Sequence, residues 1–314
     1  MVAACLIVAS PGAPGARIEK SPFIIEYQDD AETLAEETLA ILEKARAEFQ
    51  RWLPTGNEPI RVIVCSTMGA FQAAAERMGR LPVEGIARSE GGVIVVKAPA
   101  LRSDPFDYSG TLRHELVHVL LARNTDTAVM PRWLDEGIAM TVGKDFRWES
   151  MLHVANMYVR GRIIEYHALD FAFVAPEDDS QFGDAYAQSL SMTRFLMGRI
   201  GEEAFWEMVY SLKTRTFPEA LRAVAGLTPR TLYDGWVQSL WKVALISSLV
   251  SGFSAFQVAA VLVIVAYFRK RRRGQHILRR WAAEEADDGL IMFPRELEDQ
   301  EGPYPWENDD EESW

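Results

Sequence analysis

Cysteine is nearly absent from this 314-residue chain, which has only Cys5 and Cys65. That excludes a disulfide-stapled scaffold, whose small loop-rich core needs several bridges. Cys65 lies inside a β-branched run and has no partner but Cys5, so a buried free thiol is expected there. Histidine is scarce as well, with five in the chain. Net positive charge is lacking: 33 Lys and Arg face 45 Asp and Glu, a formal charge of -12. A nucleic-acid binder would show the opposite, a basic surface. There are no internal repeats, and 48% hydrophobic with 25% charged residues is an ordinary globular balance. Wholesale disorder, a collagenous repeat and a multi-pass membrane protein are thereby excluded. The length suits one large domain, or a domain of two lobes, with appendages.

Long hydrophobic runs are also missing, with one exception. Residues 243–268, VALISSLVSGFSAFQVAAVLVIVAYF, hold no Asp, Glu, Lys or Arg over 26 positions. At about 1.5 Å per residue, such a helix exceeds a hydrocarbon core of about 30 Å, which predicts one transmembrane helix with some tilt. Trp236 and Trp241 before it and Tyr267 at its end suit the membrane interfaces. Arg269, Lys270, Arg271, Arg272 and Arg273 follow at once, which a buried core helix seldom shows. This positive-inside signal places the C-terminus in the cytoplasm and residues 17–242 outside it, a single-pass protein of the cell membrane. Residues 1–16 resemble an incomplete export signal, with a short apolar stretch and small residues but no cation before Leu6. The tail, 269–314, carries 8 basic and 13 acidic side chains, cations first. Its acidic, Pro-interrupted end predicts disorder. Tyr304, Trp306 and Trp314 offer anchors for a cytoplasmic partner, and a merely solvated tail is the other reading.

Residues 17–242 read as α+β. Phe23–Tyr27 and Ile60–Cys65 are β-branched or aromatic runs and predict strands. Leu34, Leu39, Leu42, Ala45 and Phe49 recur near helical spacing, predicting a helix over 31–53 that stops at Pro54. A second helix is expected over 71–78. Residues 86–88 and Val93–Lys97 flank Glu90-Gly91-Gly92 and predict a hairpin. Beyond Lys97 strand signals cease and helices take over, which implies two lobes with a cleft between them.

Two of the five histidines fall in His114-Glu115-Leu116-Val117-His118, an HExxH pattern inside a helix expected over 111–124. Residues four apart share a helix face, so both imidazoles can reach one metal ion. Glu115 then sits beside a metal-bound water whose proton it can take. A catalytic zinc needs a third protein ligand and an open position. Glu136 stands 18 residues beyond His118, in PRWLDEGIA, where Pro131 suits a first helical turn. A loop over 124–130 lets that second helix turn back on the first. Asp135 competes for the role, but neighbouring helical residues point about 100° apart.

HELVH followed by WLDEGIA resembles the gluzincin metallopeptidases, in particular the bacterial peptidase-MA-like domains. The resemblance covers roughly residues 23–241, though only the zinc segments are specific. It implies a zincin fold, His114, His118 and Glu136 as ligands of one Zn2+, and Glu115 as general base. It favours Glu136 over Asp135. Asp184-Ala185-Tyr186-Ala187-Gln188-Ser189-Leu190 is similar to the family's Tyr-bearing helix, which implies Tyr186 as the oxyanion stabiliser. Tyr233-Asp234-Gly235-Trp236 is also similar to a late family segment. His153 and His167 have no motif around them, and a surface or internally satisfied histidine is expected at each. No exopeptidase amine-binding motif precedes His114, so an endopeptidase is expected. The resulting expectation is a membrane-anchored zinc metallopeptidase acting on a peptide or protein. The alternative is a catalytically inactive zincin-fold binding or sensor protein acting through its cytoplasmic tail.

Overall fold

The computed structural model describes residues 16–28, 31–78, 85–88, 91–102, 108–143, 148–176, 179–251, 263–267 and 269–270. The expected export segment (up to residue 15) and the acidic tail with Tyr304, Trp306 and Trp314 lie outside these residues. The chain begins with β1 (Ala16–Lys20), β2 (Phe23–Tyr27), α1 (Glu32–Phe49), β3 (Ile60–Cys65), α2 (Met68–Met78), β4 (Gly85–Arg88) and β5 (Val93–Lys97). The five strands form one sheet in the order β1-β2-β3-β5-β4. β2, β3 and β5 run parallel, while β1 and β4 lie antiparallel to their neighbours.

Alternation along the strands decides which helix covers which face. Phe23 and Ile25 of β2, Ile60, Val62 and Val64 of β3, and Ile94 and Val96 of β5 join a core cluster with Leu42 and Phe49 of α1. The intervening Cys65, Val95 and Ile86 pack with Phe71 and Ala75 of α2 on the other face. Cys65 is a buried free thiol, as expected, and burial pushes its pKa up to about 11.

Helices follow: α3 (Tyr108–Asn124), α4 (Arg132–Gly143), α5 (Trp148–Val159), α6 (Tyr166–Leu169), a 3-10 turn over Phe171–Phe173, α7 (Asp179–Ile200), α8 (Glu202–Ser211), α9 (Phe217–Ala225) and α10 (Pro229–Ser251). α3 packs on α1, β4 and β5 with one side and on α4 with another, and α4 packs in turn on α7. The strand-rich and helical halves share a core: Phe23 and Ile25 belong to the same buried cluster as Trp206, Leu221 and Trp236. The described residues up to Val250 form one compact unit.

Several expected boundaries shift. β1 begins at Ala16, the last position of the leading segment expected over 1–16, and Ala16 pairs with Tyr27. Helix 31–53 stops at Phe49, where the Phe49 carbonyl takes the amides of both Trp52 and Leu53 and turns the chain before Pro54. Helix 71–78 starts at Met68, since the Thr67 hydroxyl accepts the Ala70 amide and caps it. The HExxH helix starts at Tyr108, whose hydroxyl bonds Thr38 of α1 at 2.7 Å. α10 runs unbroken through residue 242, the expected domain boundary, as far as Ser251. Among the described residues no helix is long and apolar enough to cross a membrane. The middle of the expected span, 252–262, lies outside them.

Candidate metal centre

His114 and His118 lie one turn apart on α3, their rings 4.8 Å apart and close to perpendicular. Their Nε2 atoms converge to 3.1 Å. From α4, Glu136 brings Oε2 to 3.3 Å from His114 Nε2 and 3.4 Å from His118 Nε2. A four-coordinate ion with bonds of about 2.05 Å has its ligand atoms about 3.3 Å apart, so the three atoms already sit at the corners such an ion would use. Glu136 is 2% exposed, yet its Oε2 has no hydrogen-bond donor. An orphaned buried carboxylate oxygen facing two imidazole nitrogens is costly unless a cation joins them.

The electrostatics agree. Burial alone would push the His118 imidazole down, but Asp135 and Glu136 outweigh it and hold it well above its ordinary value. Burial would likewise raise the Glu136 carboxyl, yet His118 and His114 hold it well below the usual carboxylate range. The cavity between these side chains thus favours positive charge.

Two glycines set α4 in place. A Cβ on Gly143 would lie 3.2 Å from the His114 amide nitrogen, so α4 passes close against the HExxH backbone. On the other flank, a Cβ on Gly137 would lie 2.0 Å from Thr193 Oγ1 and 2.6 Å from the Ser189 carbonyl of α7. The Gly beside the third ligand is therefore a contact point between helices. Gly137→Ala gains about 1 kcal/mol of helix propensity but overpacks at a cost of about 1–3 kcal/mol or more, because the Ser189 carbonyl is backbone and cannot swing aside. A lower denaturation midpoint and reduced metal content are expected. An unchanged midpoint would show that α4 and α7 can part.

Asp135 is not a ligand in this arrangement. Its Oδ1 accepts a hydrogen bond from His118 Nδ1 at 3.0 Å, on the side of the ring away from Glu136. The one-residue offset in the helix that turned it from the cavity carries it to this partner. With one proton held on Nδ1, a metal that displaced the other ring proton would meet the Nε2 lone pair facing the cavity. Asp135→Asn is expected to weaken metal binding about 10- to 100-fold, read by competition against a chelator.

Glu115, also on α3, is 7% exposed. It lies against the edge strand: a Cβ on Gly85 of β4 would fall 3.1 Å from Glu115 Oε1 and 2.7 Å from Thr111 Cγ2. The start of β4 thus passes directly by the proposed base. Tyr186 shares the stripe of α7 that bears Ser189 and Thr193, and its ring packs edge-on against Phe173 at 5.1 Å and Phe182 at 4.9 Å. Phe173 in turn lies under the Arg132 guanidinium. His153 Nε2 donates to Oδ1 of the buried Asp184 at 2.6 Å, and Arg162 donates to the other oxygen of that carboxylate at 2.9 Å. That matches the satisfied histidine expected. His167 is exposed.

Sequence reasoning missed three supporting residues. Arg132 Nη2 donates to Glu136 Oε1 at 3.1 Å, a pairing its i,i+4 spacing could have revealed. Asp170 accepts the Trp133 amide at the start of α4, and nothing in the sequence announces it. Gln188, fully buried, brackets the backbone of Ile164 through both its amide atoms, and Tyr233 donates to the same carbonyl. The Tyr233–Trp236 segment is therefore scaffold: Trp236 Nε1 bonds Ser191 Oγ and fastens α10 to α7.

Residues 58–242, more than half of the chain, match the sequence model of one family, described as the Peptidase MA superfamily. No curated protein matches the chain.

Proposed function

Because the chain belongs to the Peptidase MA superfamily, we propose that it is a zinc-dependent metallopeptidase cutting within peptide or protein chains. The observation that carries this is the convergence of His114, His118 and Glu136 with one buried carboxylate oxygen left without a donor. Two imidazoles and a single carboxylate, with room for water, are the donor set of catalytic zinc. A zinc ion held there would supply Lewis acidity and a bound water of pKa lowered to about 7.

The chain's own groups divide the remaining work. Glu115 takes the proton of the nucleophilic water and passes it to the leaving amine. Tyr186 donates a hydrogen bond to the oxyanion formed at the scissile carbonyl. Asp135 fixes the tautomer of His118, and Arg132 steadies Glu136. The test is zinc content of the purified full-length protein together with cleavage of a peptide library. Cleavage should vanish with a chelator and return with added zinc; zinc-free, chelator-insensitive cleavage would sink the assignment.

The proposal extends to placement. Residues 17–242 are the extracytoplasmic peptidase domain, 243–268 the membrane anchor and 269–314 the cytoplasmic tail, led by an export segment in 1–16. The support is the uncharged run with its five adjoining cations. Protease added to intact cells should remove the domain and spare the tail; the reverse pattern would invert the orientation.

A further inference from the structure

We propose that Arg132 is the positioning residue that reserves one oxygen of Glu136, so that the carboxylate binds the metal through the other oxygen alone and a coordination position stays open. The inference rests on the metallopeptidase reading above and concerns how that site is kept reactive.

The two oxygens of Glu136 face different partners. Oε1 accepts from Arg132 Nη2 at 3.1 Å, while Oε2 lies 3.3 and 3.4 Å from the two imidazole Nε2 atoms. Arg132 and Glu136 are four apart on α4, so one rigid helix sets both ends of the contact. The guanidinium is seated over the Phe173 ring at 5.8 Å, which limits where it can swing. Its side chain is 33% exposed against 3% for Glu136, so the contact is partly withdrawn from water and stronger for it.

A purely structural ion pair would look different. An Arg placed to stabilise a buried carboxylate offers its planar fork to both oxygens. Here one donor meets one oxygen, the Arg132 Nε has no acceptor, and Oε2 is left without a donor. Arg132 leaves Oε2 to the two imidazole Nε2 atoms, on the side that a metal cation would occupy. The consequence is chemical. A carboxylate free to rotate can give both oxygens to zinc and fill the position that water needs. Arg132 holds Oε1 back.

The experiment uses the full-length protein in detergent, loaded with Co2+ in place of Zn2+, because four-coordinate cobalt absorbs visible light several-fold more strongly than five-coordinate cobalt. Wild type should show the strong spectrum. Arg132→Met, which keeps an apolar stem over Phe173, should lose most of that intensity and bind zinc about 10- to 100-fold more weakly. Arg132→Lys, with a single donor of similar reach, should recover most of both. The melting of the metal-free protein should be nearly unchanged, which separates this role from a merely structural one. Should Arg132→Met fail to fold, a zinc-loaded crystal of the wild type decides alone: one Glu136 oxygen on the ion supports the inference and two overturn it. A folded Arg132→Met with the wild-type spectrum and affinity overturns this inference while leaving the metallopeptidase reading intact. A wild type that binds neither ion overturns both.

Discussion

Glu115→Gln is expected to abolish peptide cleavage while the protein keeps its metal. Glu115 is the neighbour of His114 and His118's partner in the motif, yet it is no member of the converging triad, which comprises His114, His118 and Glu136. Gln has the same shape, so its fit beside Gly85 is preserved, but it cannot act as a base. Loss of a general base lowers rates by about 100- to 10,000-fold. The decisive reading is the pair of measurements: metal content unchanged, cleavage gone. Metal retained with undiminished cleavage would remove Glu115 from the mechanism. Loss of metal together with activity would instead make it part of the ligand shell.

Glu136→Gln is expected to have the opposite signature, with metal and activity lost together. The substitution removes the one negative charge in the triad and leaves a neutral amide between two imidazoles. It should also uncouple stability from zinc. A ligand present at a hundred times its dissociation constant stabilises the folded state by about 2.7 kcal/mol. For a domain of this size that corresponds to a rise of roughly 5–11 °C in melting temperature. Wild type should show such a rise on adding zinc, and the variant should show none. An equal rise in both would place the ion elsewhere and leave a binding or sensor role, with the fold kept and turnover absent, as the better account.

Local patterns were legible and distant ones were not. The two histidines announce themselves because four-residue spacing is a property of one helix. Strands β2 and β3 are legible as β-branched or aromatic runs, whereas the face on which Cys65 falls, opposite Val62 and Val64, emerges only from the packing. Strand β1 was missed because ARIEK carries little apolar alternation and is mostly exposed. Helical spacing presents Asp135 only as a rival to Glu136, because its partner, His118 Nδ1, is reached only once α4 is docked on α3. Asp170, Gln188 and Asp184 are invisible for the same reason: each acts across a fold contact. The family segment draws attention to the Tyr186 phenol, but not to Asp184 and Gln188, whose hydrogen bonds reach His153, Arg162 and Ile164 across the fold.

The glycine contacts of α4 bear on how fast an ion can come and go. With Gly143 pressed on the His114 backbone and Gly137 on the Ser189 carbonyl, α4 is fastened on both flanks and cannot rock without breaking a backbone contact. An ion held there would meet solvent at the rim, where Asp135 is 26% and Arg132 33% exposed. Were zinc bound as proposed, its release is expected to depend on turning these two side chains rather than on parting the helices. A bound ion in this site should leave slowly even where its equilibrium affinity is modest, and trimming the rim should quicken its departure more than its arrival.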